Sequence, residues 1–244
     1  MKTLGIDEYK ELNQFLNSIR STVEDLVIDK GIVEAKTNDN LILIKADLTK
    51  VFDENMELPK LKDKCELFKL FGKDSQVDID TDKQYLFLND SVSKIKIVRP
   101  SLTLLNNRVD KKIDHDALFS KMTKVIDTTL NEDKISRLSS MAKVVGEIYC
   151  NFVFGKDVCD VTIKSSSKEY ESKAFTIPAI YDLTNFNASF TVALFEFGFD
   201  FKISPDVKIE AWLDDKKIVY IKMSSPVSTN IDGRFYAYAE LRAN

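Results

Sequence analysis

Glycine is scarce in this chain: there are seven in 244 residues, and the two nearest, Gly146 and Gly155, stand nine positions apart. A phosphate-cradling turn such as G-x-G-x-x-G or G-x-x-x-x-G-K-[ST] needs glycines a few positions apart, so nucleotide loops of those kinds are excluded. Histidine is scarcer still. His115 is the sole imidazole, so a Ser-His-Asp relay would have to run through it, and it lies in the polar stretch 110–116, where it reads as a solvated linker histidine. A single histidine also excludes an H-E-x-x-H zinc site. Cys65, Cys150 and Cys159 are odd in number and form no C-x-x-C pair; they read as buried, reduced thiols rather than metal or redox groups. The carboxylate pairs Asp78 with Asp80 and Asp214 with Asp215 have nothing nearby to separate their pKa values and read as strand-surface and turn charges. No catalytic residue, cofactor or metal ligand is therefore assigned, and an enzyme is the weaker hypothesis. No apolar run of about 18 residues and no charged-then-apolar leader is seen, so the chain is expected to be soluble and intracellular, with no membrane partner.

What is present is an ordinary globular composition: 44% apolar and 30% charged residues, with 35 Lys+Arg against 39 Asp+Glu. At roughly 100 to 200 residues per domain, this makes one large domain or two smaller ones. The segment 8–20 places Leu12, Phe15, Leu16 and Ile19 on one helical face and Lys10, Asn13, Asn17 and Arg20 on the other, with Asp7, Glu8 and Glu11 near the first turn, where the helix dipole favours acids. Alternating runs at 25–28, 31–36 and 41–47 follow as strands of a meander. Segment 60–71 is a basic helix with Leu61, Cys65, Phe68 and Phe71 inward, lysines at 60, 62, 64, 69 and 73 and only Asp63 and Glu66 as acids; Gly72 is its expected C-cap. Strands 76–80, 84–89 and 94–98 then run up to Arg99-Pro100.

Residues 101–117 read as a connector between a first domain, 1–100, and a second, 118–244. The second repeats the first. A strand-like run at 118–130 leads to a helix capped by Asn131, with Ile135, Leu138, Ala142 and Val145 on its apolar face. Strands 147–154, 158–164 and 171–177 come next. Val77-Asp78-Ile79 falls on Val207-Lys208-Ile209, and Leu86-Phe87-Leu88 on Ile218-Val219-Tyr220, a lag of about 130 residues. The fold class expected is α+β, two similar domains, each with helices packed on antiparallel sheets.

The helix running into a strand at 12–28, the lysine-bearing segment and hairpin at 69–88, the proline-marked connector and the helix at 131–145 together resemble the DNA sliding clamps. These are ring-shaped processivity factors that include proliferating cell nuclear antigen and the two-domain clamps of tailed phages. The chain is most similar in length to the phage members. The resemblance implies a homotrimeric ring, joined head to tail, that encircles duplex DNA without reading sequence and tethers a DNA polymerase, with an ATP-dependent clamp loader opening it. A cytoplasmic location is implied, in the host's cytoplasm for a phage protein. Lys10, Asn17, Arg20, Lys69, Lys73, Lys134, Arg137 and Lys143 are placed in the channel, although lysine-bearing helix faces are also what plain solvation produces. A partner-peptide pocket would combine Leu102, Leu104 and Leu105 with Ile180, Tyr181, Pro226 and Val227; the three leucines read equally well as a domain-linking staple. The family's fourth helix would fall at 195–203, where Phe195, Phe197, Phe199 and Phe201 alternate as in a strand. Either that helix is short and sits at a strand end, or the fourth channel wall is poorly charged. Two other readings stand beside the clamp: a non-clamp α+β binding or scaffold protein of a phage or replication apparatus, and a hydrolase using Asp or Glu with a supplied metal.

Overall fold

Alternation of apolar and polar residues in the strands, and the 3.6-residue period in two long helices, give two units with one plan. The computed structural model describes residues 1–244 except Lys83, Leu102, Thr103, 106–108, 110–112, 166–169 and Asn244. Unit 1 comprises Met1–Lys112 with Gly198–Ile203 and Pro226–Gly233; unit 2 comprises Ile113–Phe197, Ser204–Ser225 and Arg234–Asn244.

Unit 1 runs β1 (Lys2–Leu4), α1 (Ile6–Ile19), β2 (Leu26–Asp29), β3 (Ile32–Lys36), β4 (Ile42–Asp47), β5 (Met56–Leu58), α2 (Leu61–Phe68), β6 (Val77–Thr81), β7 (Tyr85–Asn89) and β8 (Lys94–Val98). Its strands pair in the orders β1-β6-β7-β8 and β5-β2-β3-β4. α1 buries Tyr9, Leu12, Phe15, Leu16 and Ile19. Each such side chain contributes about 2 kcal/mol by burial, against a few tenths for an exposed ion pair, so the opposite face is free to vary. The Tyr9 hydroxyl donates to the Phe68 carbonyl at 2.9 Å, and its ring stacks on Phe68, which locks α1 to the end of α2.

Unit 2 opens with α3 (His115–Phe119) and then repeats the sequence of elements: β9 (Thr123–Asn131), α4 (Glu132–Val145), β10 (Tyr149–Phe154), β11 (Val158–Lys164), β12 (Glu171–Pro178), β13 (Phe186–Thr191), a single 3-10 turn (Val192–Phe195), β14 (Asp206–Leu213), β15 (Ile218–Ser228) and β16 (Ile231–Glu240), with β17 (Arg242–Ala243) at the end. The orders β9-β14-β15-β16 and β13-β10-β11-β12 reproduce those of unit 1 strand for strand, with β17 added beside β13. The duplication expected from sequence is thus a duplication of topology. One detail differs. Phe87 faces outward while Val219 is buried, and Leu88 pairs with Ile79 where Met223 pairs with Ile209, so the equivalence in this strand is offset by three residues, and an odd slip exchanges the two faces of a sheet.

Several local expectations are corrected. The run at 118–130 is not all strand, because Asp114 accepts from the Ala117 amide at 3.0 Å and starts α3, leaving the strand to begin at Thr123. His115 is not solvated: it is 9% exposed and stacks on Tyr236 with centroids 4.1 Å apart. Gly72 is not the C-cap of α2, a place taken by Lys69. Gly72 has φ +70°, and a Cβ there would meet the Tyr9 ring at 2.3 Å, so backbone conformation and close approach both demand glycine. At 195–203 there is neither a regular helix nor a strand. The 3-10 turn follows β13 directly, and Phe195, Phe197 and Phe199 are all buried, with Phe197 stacked on Phe235 at 3.9 Å. The helix expected at 195–203 is thus replaced by the 3-10 turn Val192–Phe195 at the end of β13. All three cysteines are free and buried; burial pushes the Cys65 thiol up to about 11 and the Cys150 thiol up to about 12. Among the described residues no helix is long and apolar enough to cross a membrane.

Candidate nucleic-acid interface

The polar face of α1 follows from its apolar stripe. Opposite the buried residues, Lys10 is exposed, with Asp7 3.8 Å away. Asn17 is half-buried and donates from Nδ2 to the Asn13 carbonyl at 2.7 Å. Arg20 caps the C-terminal end, where the dipole favours a cation. The acids of this helix have separate tasks. Glu8 accepts from the Gly5 amide at 2.8 Å. Glu11, assigned from sequence to the dipole, instead accepts from the Ser228 hydroxyl at 2.8 Å and from the Asn230 amide and side chain at 2.9 Å each. That carboxylate holds the β15–β16 turn.

α2 brings Lys69 to Arg20. Both cations reach one acid: Arg20 is hydrogen-bonded to Glu66, and Lys69 Nζ lies 2.9 Å from the same Glu66 oxygen. The Lys69 hydrogen bond, then the Arg20 one, hold the Glu66 carboxyl below the usual carboxylate range. Two cations against one anion leave a net positive cluster, with exposed Lys73 beyond Gly72. Beside it a groove of about 630 Å³ opens between the ends of α1 and α2, with Arg20, Lys60 and Lys62 on its wall and Glu24 and Asp63 facing them. Lys60 and Lys62 were not assigned from sequence. Their signal was the lysine-rich segment, but which lysines share a wall with Arg20 depends on where α1 ends.

α4 supplies the matching surface of unit 2. Asn131 caps it, accepting from the Lys134 amide at 3.2 Å, and Gly146 closes it with φ +74°. Ile135, Leu138 and Ala142 are buried, Lys134 is half-buried, and Arg137 and Lys143 are exposed, Lys143 lying in the last turn. The 3-10 turn has no basic residue and is mostly core, with Val192, Leu194 and Phe195 buried.

The residues assigned to a partner pocket are dispersed in character. Leu102 lies outside the described residues. Leu104 is 72% exposed, whereas Leu105 is buried. Ile180 and Tyr181, just past β12, are exposed at 59% and 48%. Pro226 is half-buried and Val227 is core, so the latter offers no surface to a partner. Leu104, Leu105, Pro226 and Val227 belong to unit 1, and Ile180 and Tyr181 to unit 2.

The duplicated β-α-β-β-β-β-helix-β-β-β unit has its counterparts among the sliding clamps of the proliferating cell nuclear antigen type. Solved structures of that class match almost the whole chain. Proliferating cell nuclear antigen from Entamoeba histolytica is 14% identical, with a TM-score of 0.61 over 95% of this chain and 96% of that one. The A. fulgidus protein, solved with the C-terminal region of FEN-1, is 12% identical with a TM-score of 0.61, covering 99% and 98%. The PCNA2–PCNA3 complex of Sulfolobus tokodaii gives 10% identity and a TM-score of 0.58, covering 98% and 99%. The chain therefore has the two-domain sliding-clamp fold of the proliferating cell nuclear antigen type. No family model matches the sequence. Uncharacterized protein R257 of Acanthamoeba polyphaga mimivirus is 26% identical over 141 residues, 54% of this chain and 42% of that protein, so the match spans less than half of the viral relative's length.

Proposed function

We propose that this chain is the protomer of a homotrimeric sliding clamp, a non-catalytic ring that encircles duplex DNA and tethers a DNA polymerase, opened by an ATP-dependent loader. The observation that carries this reading is the duplicated clamp unit with its basic helix faces. Duplex DNA presents one charge per about 1.7 Å of axis, and a ring that slides along it needs weak, sequence-blind phosphate contacts. Binding by enclosure tolerates the formal net charge of −4, provided the cations line the hole. Lys10, Arg20, Lys69, Lys73, Lys134, Arg137 and Lys143, with Asn17 beside them, are assigned to that lining. Two edges support the assembly: β8 ends one sheet of unit 1 and β12 ends one sheet of unit 2. An unpaired edge is a liability that a second chain removes by continuing the sheet, and head-to-tail pairing of such edges closes into a ring. Of the residues assigned to partner peptides, Leu104 in unit 1 and Ile180 and Tyr181 in unit 2 are the well-exposed ones, each offered to a partner within its own unit. The viral relative is in keeping with a viral replication setting; a host-cytoplasmic location is part of the same proposal.

The experiment is charge reversal of Lys10, Lys69, Arg137 and Lys143 together. These side chains lie away from the apolar stripes, so folding and assembly are expected to persist while retention on closed circular DNA falls several-fold, most steeply at low salt. Unchanged retention at low salt would remove these residues from the lining.

A further inference from the structure

Among the described residues, the β7–β8 face of unit 1 carries exposed Lys94, Lys96 and Val98, whereas its duplicate in unit 2 is covered. On the outward side of β7 stand Tyr85 and Phe87, ring centroids 6.1 Å apart, directly across from Val98 and Lys96 of β8. Val98 is 66% exposed. Lys96 Nζ sits 3.5 Å from the Tyr85 centroid, and Lys94 and Lys96 lie 5.8 and 5.9 Å from that of Phe87. The equivalent strands of unit 2 turn Trp212, Tyr220, Tyr236 and Tyr238 to the same side, and there the chain supplies its own occupant. Phe119 of α3 stacks on Trp212 at 4.0 Å with 4° between the planes, and His115 stacks on Tyr236. α3 is short, it is capped by Asp114, and it carries Asp116 in its first turn.

We propose that the β7–β8 face of unit 1 docks a short acidic peptide turn or helix bearing an aromatic side chain, the chemistry that α3 supplies within unit 2. This surface is separate from the helix faces assigned to DNA and does not depend on ring closure. The lysines supply the complementarity. When an incoming ring displaces the ammonium groups from Tyr85 and Phe87, aromatic stacking replaces cation–π contact, the aliphatic stems become walls, and the freed charges meet the peptide's carboxylates. A single strand of nucleic acid offers stacking bases and anions too, but Asp80 lies directly across from Phe87 and Asp78 across from Asn89. A phosphodiester chain carries a charge at every step and meets those acids, whereas a peptide can hold its acids toward β8 alone.

The test uses the full chain and a synthetic peptide of residues 113–121, with a photoreactive phenylalanine in place of Phe119. So short a peptide is not helical alone, so a dissociation constant on the order of 100 μM or weaker is expected. Crosslinks are expected within 85–98. They are expected to fall at least fivefold in the Lys94→Glu, Lys96→Glu double variant and with a peptide carrying Asn at both Asp positions. Tyr85→Ala is a third arm; if it fails to fold, the lysine variant, altered only at exposed side chains, still decides. Crosslinks confined to 212–238 would mean that the peptide merely exchanges with α3 and would overturn the proposal. So would crosslinks at 85–98 that a (dT)20 oligonucleotide abolishes while the lysine variant's loss is matched by lost oligonucleotide binding.

Discussion

Glu210 is held by three lysines, with Lys124 Nζ at 2.8 Å, Lys208 at 3.0 Å and Lys222 at 3.2 Å, and its side chain is 8% exposed. Burial alone would raise its pKa. The lysines outweigh burial, and the carboxyl is pushed down to about 2 from 4.5. Because the folded value lies below the unfolded one, this stabilisation is complete above about pH 4.5 and is lost as pH falls toward 2. With the lysines partly solvated, its size is about 2 kcal/mol rather than the ~3 that the full shift implies. Urea denaturation of Glu210→Gln is expected to show a loss of about 2 kcal/mol at pH 7 and a flatter pH dependence than wild type between pH 4.5 and 2; parallel curves would contradict it. Glu66→Gln acts differently. Its ion pairs are exposed, so stability is expected to stay within about 0.5 kcal/mol, while Arg20 and Lys69 lose their shared anion. Retention on DNA is expected to rise a few-fold with a steeper salt dependence; no change would place the pair away from DNA. At this scale the sequence showed which side chains are cationic but not their partners. Arg20 and Glu66 lie far apart in the chain, and only the packing of α1 on α2 joins them. His115 was misassigned for the same reason, since its polar neighbours in sequence are not its neighbours in space.

Elements with a strong period were legible. α1 and α4 carry an apolar face at helical spacing with an acidic first turn, and the strands of the two meanders alternate cleanly. The very short strands β1 and β5 are too brief to show a period. At 195–203 the alternating phenylalanines imitate a strand, yet they are buried by different neighbours: Phe195 faces Phe152 and Phe197 faces Phe235. The edge strands permit a test at this scale. In a regular antiparallel edge strand, residues alternate between facing the paired neighbour and facing outward, and in β12 this alternation changes phase at the irregularity around Ala174. Proline substituted stepwise through β12 is expected to destabilise unit 2 at the first set. At the second set it is expected to dissociate the assembly with the thermal transition of the monomer preserved. Absence of that alternation would mean that β12 forms no strand pairing between chains.

At the scale of the chain, the repeat was the most informative signal. A lag of about 130 residues placed β6 against β14 correctly, because Val77 and Ile79 are buried as Val207 and Ile209 are. It misplaced β7 by three residues: the sequence alignment lengthened the second hairpin by two residues (130 to 132), whereas the paired registers Ile79–Leu88 and Ile209–Met223 make it longer by five. Two clamp units per chain, with β8 and β12 left as edges, set the expected number of chains at three. Sedimentation equilibrium over a range of concentrations tests this most directly. A species of about three times the 27.9 kDa chain, releasing monomer on dilution, is the predicted result. Monomer alone at high concentration, or a dimer of two-fold symmetry, would contradict it.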